Sequence, residues 1–298
     1  MDVNIRSTSN DDKQQKKKKA AIVQFRSSIS KEENLEKALH YIDEASRLGA
    51  SLVAFPEFTM AYSPEEQDAD ALYHIAERID GNFVSAIREK VRACMVDTVV
   101  TMYERGEGSN RVYDTALLID SNGNIRSVYR KIHLYDALGF KESAKLLPGN
   151  EVAVPVDAQL GRLGMMICYD VRFPEMSRIL ALLGTEVLVI PSAWVQGRMK
   201  YEHWQTMLRA RAIENGCYVI APDQVGNIYI GHSMAVDPFG SVLLDMGEGD
   251  EGLGMVEVDV RHVYEVRSRL PLLNNRRVDV YARYADTMQR YVYDDKAG

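Results

Sequence analysis

The sequence contains few cysteines, and the three present, Cys94, Cys168 and Cys217, are widely spaced in a chain of 298 residues. An odd and scattered set of this kind excludes a disulfide framework and a zinc cluster. Sparse cysteine usage is typical of a reducing compartment, so we expect a cytoplasmic protein. Each thiol is therefore considered separately as a candidate nucleophile.

The sequence also lacks any run of about 18 apolar residues, so no membrane-spanning helix is predicted. Its first residues lack the apolar stretch that a secretory signal needs, so we do not expect a secretory signal. Acidic groups outnumber basic ones outside residues 1–19: this segment carries a net charge of +3, and the remaining residues carry −10. An acidic body argues against a nucleic-acid groove, which needs a basic stripe. We expect neither nucleic acid nor a membrane as a partner.

The basic segment 1–19 is predicted to be a disordered tail, because it cannot bury enough apolar surface to fold. An interaction arm is the alternative. Ordered structure is expected to begin near Ala20 and to form a single domain over residues 20–298, since no linker rich in Pro, Gly or Ser interrupts it. The last stretch, 268–298, is rich in Arg and Tyr and is expected to be an extended arm that packs elsewhere.

Short apolar runs alternate with amphipathic segments along the chain. Residues 20–25 and 51–55 predict buried strands, and the helical spacing of apolar residues over 31–48 places a helix between them, as in a βαβ unit. The same alternation predicts helices over 83–95, 174–183 and 199–215, and strands over 97–103, 113–120, 125–129, 162–167, 186–190, 217–221, 233–236 and 254–260. A hairpin signal between two of these strands indicates that the sheets are mixed. The pattern predicts an α/β layered fold.

Three reactive side chains follow predicted strands, where the functional groups of α/β proteins gather. Cys168 lies between a strand and a helix, which is the position of a nucleophile on a sharp strand-to-helix turn. Glu57 follows a buried strand and a proline, and burial makes a carboxylate a better general base. Lys131 ends another strand, where a fixed cation can stabilise an oxyanion.

Each candidate also has a purely structural explanation. Cys168 can be a core thiol, Glu57 a loop residue and Lys131 an ordinary surface lysine. Cys217 falls inside a predicted strand and is better explained as part of the core. His133, two residues after Lys131, offers a Cys–His pair in place of a glutamate and a lysine.

Taken together, these motifs resemble the nitrilase, or carbon–nitrogen hydrolase, superfamily. The resemblance is carried by LVAFPEF around Glu57, YRKIHLYD around Lys131 and GMMICYDVRFPE around Cys168. Further matches are RARAIENGCYVIAP and GHSMAVDPFG, so the resemblance covers roughly residues 20–284. The wording CYDVRFPE is most similar to the Nit-type amidases.

The resemblance implies a four-layer α-β-β-α sandwich with two mixed sheets, and a triad of Glu57, Lys131 and Cys168 supported by Glu142. It implies cleavage of a small amide to an acid and ammonia through a cysteine thioester, with no metal and no cofactor. The backbone N–H of Tyr169 is expected to bind the oxyanion together with Lys131. A homodimer or higher homo-oligomer is expected. A nitrilase or an N-carbamoyl amino acid hydrolase on the same triad is the alternative, and a non-catalytic or redox-sensing homologue is the alternative from another class.

Substrate contacts are expected from Tyr62 and Trp194 as pocket walls. Arg172, four residues after the cysteine, is a candidate anchor for a substrate carboxylate, because its planar fork matches a carboxylate. An internal ion pair between Arg172 and an acid such as Glu175 is the alternative. The segment PSAWVQGRMKYEHW departs from the family pattern, so the sequence does not define the substrate.

Overall fold

The computed structural model describes residues 17–285. Its strands are β1 (Lys18–Gln24), β2 (Leu52–Ala54), β3 (Asp97–Arg105), β4 (Val112–Ile119), β5 (Ile125–Arg130), β6 (Val156–Ala158), β7 (Gly161–Met165), β8 (Val187–Val189), β9 (Tyr218–Ala221), β10 (Val225–Gly226), β11 (Tyr229–Ile230), β12 (Met234–Val236), β13 (Val242–Asp245) and β14 (Gly252–Val258). Its helices are α1 (Lys31–Arg47), α2 (Ala69–Ile75), α3 (Asn82–Cys94), α4 (Pro174–Leu182), α5 (Lys200–Asn215), α6 (Val260–Arg269) and α7 (Val278–Tyr281).

The two six-stranded sheets repeat the same order of pairings. The first runs β14-β1-β2-β3-β4-β5 and the second runs β6-β7-β8-β9-β12-β13. In each, the successive pairings are antiparallel, parallel, parallel, antiparallel and antiparallel. The parallel pairs follow from helical crossovers, since parallel neighbours cannot be joined by a tight turn. The prediction of an α/β fold with two mixed sheets is confirmed.

Alternate residues of the first sheet enter two different cores. Ile22 packs in the core between the two sheets, whereas Val23 belongs to the core formed with α1 and α3. Side chains of α4 and α5 extend the inter-sheet core across the far face of the second sheet. The layers are therefore helix, sheet, sheet, helix. Burial on both faces explains why the strands appear in the sequence as continuous apolar runs.

The start of the ordered chain differs from the prediction by two residues. Strand β1 begins at Lys18 rather than Ala20, because Lys18 and Lys19 pair with Val258 and Glu257 of β14. Hydrogen bonds between the backbones of two strands form whatever the charge of the side chains. The lysine-rich composition of residues 16–19 therefore placed the start of the ordered chain too late. The rest of the predicted tail, residues 1–16, lies outside the described residues.

The end of the chain was also only partly anticipated. Helix α6 was not predicted, although Val263 and Val266 bury one of its faces. After it, the part of the predicted arm that is described contains a turn and α7 rather than extended chain, and residues 286–298 lie outside the description. Packing of this arm on a partner remains a prediction. Within residues 17–285, no helix has the length and apolar character needed to cross a membrane.

Candidate active site

The ends of three strands bring together the residues singled out from the sequence. Glu57 follows β2 and Lys131 follows β5, both in the first sheet, whereas Cys168 follows β7 in the second sheet. The backbone of Glu57 is fixed from the opposite side, because Gln224 Nε2 donates to its carbonyl oxygen at 2.9 Å. The group is thus assembled where the carboxyl ends of the two sheets meet.

Lys131 is fully buried and is held by two carboxylates. Its Nζ donates to Glu57 Oε1 at 2.6 Å and lies 2.9 Å from both carboxylate oxygens of Glu142. Glu142 is itself oriented by the backbone N–H of Tyr135, which donates to its Oε2 at 2.7 Å. Burial lowers the pKa of Lys131, but the charges of Glu142 and Glu57 outweigh it and hold that pKa well above its usual value. Lys131 is therefore a permanent cation.

Cys168 occupies a sharp turn between β7 and α4. Its φ of 43° lies in the left-handed region, which is costly for a residue with a side chain and is typical of functional sites. The backbone N–H of Cys168 donates to the carbonyl of Pro191 at 2.9 Å, so it is not available to a substrate. The next N–H, that of Tyr169, has no acceptor among the described residues.

The environment of Cys168 keeps its thiol neutral at rest. Burial raises the pKa of the Cys168 thiol well above its usual value, and the charge of Glu57 raises it further. Lys131 and a hydrogen bond from the backbone N–H of Ala193 act in the opposite direction without cancelling this effect. A thiol in this state needs a base to become a nucleophile, and Glu57, whose charge acts on it most strongly, has the chemistry for that task.

Asp170 ties the turn of Cys168 to the chain around Lys131. Its carboxylate accepts from the backbone N–H of Ile167 at 2.9 Å and from Tyr129 Oη at 2.6 Å. It also contacts His133, whose Nδ1 lies 2.7 Å from Asp170 Oδ1 and whose ring stacks on Phe173 with 3.6 Å between centroids. His133 is therefore engaged with Asp170 and does not pair with Cys168.

The other two thiols lie outside this group. Cys217 precedes β9 and is buried in the core, where burial raises its pKa to about 12. Cys94 ends α3, as predicted, and its sulfur lies 3.9 Å from Asp43 Oδ1. No group of three or more His, Cys, Asp or Glu side chains within residues 17–285 is placed to hold a metal ion.

A cavity of about 460 Å³ opens onto the sulfur of Cys168. The structure places all four predicted substrate-contact residues in its wall: Tyr62, Tyr169, Arg172 and Trp194. Glu142 also lines the cavity, whereas Glu57 and Lys131 are buried behind it. Cys168 thus lies in the wall of a pocket large enough for a small organic molecule.

Arg172 forms no ion pair with Glu175 or with any other described acid, so the alternative considered from the sequence is wrong. Its guanidinium instead lies over the ring of Trp194, at 4.6 Å from the centroid, and over that of Tyr169 at 5.9 Å. A guanidinium that lies over an aromatic ring keeps its N–H donors available, because they point outward in the plane of the guanidinium.

Two buried polar groups of this region were not identified from the sequence. Lys200, at the start of α5, lines the cavity and is only 7% exposed. Asp114, in β4, is 1% exposed, and its backbone carbonyl accepts from the N–H of Lys131 at 2.9 Å. Asp114 could have been found from the sequence, because it is a single acid inside the apolar segment that forms β4. Lys200 could not, because it stands among polar residues at the start of a helix.

Asp114 and Glu57 form a pair of carboxyl groups behind Lys131. Glu57 Oε2 and Asp114 Oδ2 are both buried, and neither has a hydrogen-bond partner among the described residues. Two carboxylates that are buried near each other cannot both ionise without cost, which favours a proton on one of them. Burial raises the pKa of Asp114 well above its usual value, and the charge of Glu57 raises it further. We therefore expect Asp114 to be the protonated member.

Replacing Asp114 with asparagine should stabilise the protein increasingly as the pH rises. The native state keeps a proton on Asp114 that the unfolded chain loses above about pH 4, so the stability of the wild type falls as pH increases. Asparagine has no proton to lose, and the difference in unfolding free energy should grow by up to about 1.4 kcal/mol per pH unit. Denaturant unfolding of both proteins at pH 5, 6, 7 and 8 measures this. A difference that is constant across these pH values would show that Asp114 does not hold the proton.

The chain is similar to known proteins over most of its length. Residues 19–268 match the family model described as carbon-nitrogen hydrolase. The chain belongs to the carbon-nitrogen hydrolase family. The predicted membership of the nitrilase superfamily is confirmed, and the protein is an enzyme of the amidase type.

Relatives within this carbon-nitrogen hydrolase family include characterised and structurally solved proteins. The deaminated glutathione amidase of Escherichia coli O157:H7 is 37% identical over 254 residues, which cover 85% of this chain and 95% of that protein. The Caenorhabditis elegans NitFhit structure has a TM-score of 0.82 and 32% identity over 89% of this chain, which spans 66% of the NitFhit chain. Saccharomyces cerevisiae Nit3, from branch 10 of the nitrilase superfamily, has a TM-score of 0.78 and 29% identity over 88% of this chain and 97% of Nit3.

Proposed function

We propose that the enzyme hydrolyses a small amide to an acid and ammonia through a thioester on Cys168. The observation that carries this proposal is the buried Lys131, held between Glu57 and Glu142 next to a thiol that opens onto a cavity. A fixed cation, a carboxylate base and a thiol are together sufficient for covalent acyl transfer: the base activates the thiol, and the cation stabilises the oxyanion.

In the first step, Glu57 accepts the proton of the Cys168 thiol and the sulfur attacks the amide carbonyl carbon. Negative charge develops on the carbonyl oxygen, where Lys131 Nζ and the unpaired N–H of Tyr169 stabilise it. Each such donor contributes about 3–4 kcal/mol to transition-state stabilisation. Glu57 then returns the proton to the nitrogen, the C–N bond breaks and ammonia leaves, with the acyl group retained on sulfur.

In the second step, water attacks the thioester while Glu57 accepts one of its protons. The C–S bond breaks, the proton returns to the sulfur, and the free acid leaves with Cys168 restored as a thiol. Glu142 acts through Lys131: its two carboxylate oxygens hold Lys131 Nζ in position, and Glu142 does not itself react with the carbonyl carbon of the substrate.

A panel of amides tests this reaction. The panel contains ω-amides of dicarboxylic acids, simple aliphatic amides, nitriles, N-carbamoyl amino acids and deaminated glutathione, since the relatives named above include an amidase of that compound. Ammonia, primary amine and carbon dioxide are measured together. We expect an amide to be cleaved without carbon dioxide. Release of carbon dioxide with ammonia would favour the N-carbamoyl hydrolase, and release from nitriles alone would favour the nitrilase.

Trapping the acyl enzyme tests the route as well as the products. Acid added to the wild type during turnover stops the second step, so the acyl group should remain on Cys168. Intact-protein mass spectrometry should show an added mass equal to the acyl fragment. Glu57→Gln, which lacks the base for both steps, should carry no such adduct. A wild type that turns over substrate but never carries the adduct would contradict the thioester.

A further inference from the structure

Asp223 is a buried acid that the proposed mechanism does not use. It follows β9 in the second sheet and is fully buried. Its Oδ1 accepts from the backbone N–H of Trp194 at 2.7 Å and from that of Gln224 at 2.9 Å. Its Oδ2 is buried as well and has no hydrogen-bond partner among the described residues. Removing a carboxyl group from water is costly, so its retention at this position calls for a reason.

The carboxyl group of Asp223 acts as a hydrogen-bond acceptor rather than as a charge. Burial raises the pKa of Asp223 well above its usual value, and the N–H groups of Trp194 and Gln224 lower it without cancelling this effect. The negative charge of Glu57 raises it further. We therefore expect a neutral carboxyl group, whose contribution depends on what its Oδ1 holds in place.

Asp223 holds the end of a loop that contacts Cys168 twice. This loop, residues 191–194, follows β8. The carbonyl of Pro191 accepts from the N–H of Cys168 at 2.9 Å, and the N–H of Ala193 donates to the sulfur of Cys168. The first contact fixes the backbone of the turn. The second favours the thiolate over the thiol, because a hydrogen bond to the charged form stabilises that form.

The peptide groups on both sides of Ala193 are oriented by Asp223 and its neighbour. The N–H of Trp194, in the peptide group after Ala193, donates to Asp223 Oδ1. The carbonyl of Ser192, in the peptide group before Ala193, accepts from the N–H of Gln224 at 3.1 Å, and Asp223 Oδ1 accepts from that same N–H. A peptide group is planar, so its carbonyl and its N–H turn together. The direction of the Ala193 N–H is therefore set from the side of Asp223.

We propose that Asp223 is a positioning residue for Cys168: its carboxyl group holds residues 191–194 in the arrangement that points the N–H of Ala193 at the sulfur. This inference rests on the proposed function, since Cys168 is the proposed nucleophile. Asp223 does not line the cavity and acts only through the loop. The base removes the thiol proton more easily when a fixed N–H already faces the sulfur, because the developing negative charge meets a donor that need not move.

The rate at which iodoacetamide alkylates Cys168 tests this role. Asp223→Ala removes the acceptor, so the N–H of Ala193 should no longer be held on the sulfur and less of Cys168 should be thiolate. We expect the alkylation rate to fall about tenfold at each pH from 7 to 9, which displaces the pH profile upward by about one pH unit. Asp223→Asn keeps an oxygen in the place of Oδ1 and should stay within about twofold of the wild type, since Oδ2 has no partner to lose.

Ser233→Ala is the matched control. Ser233 Oγ accepts from the N–H of Asp223 at 2.8 Å, so this variant disturbs the same buried backbone without removing the acceptor for Trp194. Its alkylation rate should stay within about twofold of the wild type. The charges that act on Cys168, those of Glu57, Lys131 and Glu142, are the same in all these variants.

Two further readouts separate a change in acidity from unfolding and from access. Cys217 is 1% exposed, so its alkylation, followed by peptide mass spectrometry in the same sample, reports unfolding. If Asp223→Ala does not fold, Asp223→Leu fills a similar space, also lacks the acceptor and carries the same expectation. Hydrogen peroxide also reacts with the thiolate but is smaller than iodoacetamide. The same fold decrease with both reagents indicates a loss of thiolate, whereas a decrease with iodoacetamide alone would contradict the proposal.

Alkylation requires no amide substrate, so its outcome separates this inference from the proposed function. Slower alkylation in Asp223→Ala, with rates near wild type in Asp223→Asn and Ser233→Ala, would support the positioning role even if no amide were cleaved, a result that overturns the proposed reaction alone. Equal rates in Asp223→Ala and the wild type would overturn the positioning role and leave the reaction intact. An equal loss in Asp223→Ala and Asp223→Asn, or in Asp223→Ala and Ser233→Ala, would overturn it as well.

Discussion

Replacing Cys168 with alanine should reduce amide hydrolysis by about 10⁴-fold or more, because the variant has no atom that can form the thioester. The substitution removes one sulfur from a tight turn and introduces no polar group. We therefore expect the free energy of unfolding to change by no more than about 1–2 kcal/mol. Steady-state ammonia release and thermal unfolding, measured on the same preparation, check both parts of this prediction.

Cys217→Ala is the matched control for this experiment. It makes the same chemical change at a buried thiol that does not line the cavity in front of Cys168. Activity should persist in this variant, and its stability should fall by an amount comparable to that of Cys168→Ala. Near wild-type turnover in Cys168→Ala would eliminate the proposed triad, whatever Cys217→Ala does.

Lys131→Ala should be far more damaging than His133→Ala. Removing Lys131 takes away the cation for the oxyanion and leaves two glutamates buried without a counter-ion. We expect kcat/KM to fall by at least about 10³-fold and stability to fall by about 3–5 kcal/mol. His133 contacts Asp170 and Phe173 rather than the thiol, so its loss should cost about tenfold or less in rate.

The comparison is made per folded molecule. The folded fraction of each variant is taken from circular dichroism, and kcat/KM is divided by that fraction. Glu142→Gln provides a second route to the same conclusion, because it weakens the hold on Lys131 but leaves the cation in place. The opposite ranking, with His133→Ala slower than Lys131→Ala, would indicate a Cys–His enzyme.

The strand ends were predictable from the sequence because each is a local signal. Glu57 and Cys168 each come at the end of a short apolar run, and Lys131 follows the second strand of a predicted hairpin. These positions are visible without any knowledge of the fold. Their convergence was inferred only from family resemblance. Periodicity cannot show that β2 and β7, which belong to different sheets, end at the same place.

Residues that depend on packing between distant segments were missed. Lys200 resembles a solvent-exposed lysine in the sequence, and it becomes buried only because Tyr135 and Trp194 pack on it from other parts of the chain. The start of β1 at Lys18 has the same origin, since β14 provides its pairing from more than 200 residues away. Contacts between distant segments leave no local pattern in the sequence, so the sequence alone does not predict them.

The division of the site between the two sheets gives turnover a further meaning. The proposed base, Glu57, and the proposed cation, Lys131, come from one sheet, and the proposed nucleophile, Cys168, comes from the other. Hydrogen bonds through Asp170 and Gln224 link the two sheets. On the proposed mechanism, neither sheet alone can support turnover. During refolding, the appearance of activity should mark the moment when the two halves dock, later than the appearance of helical signal within either one.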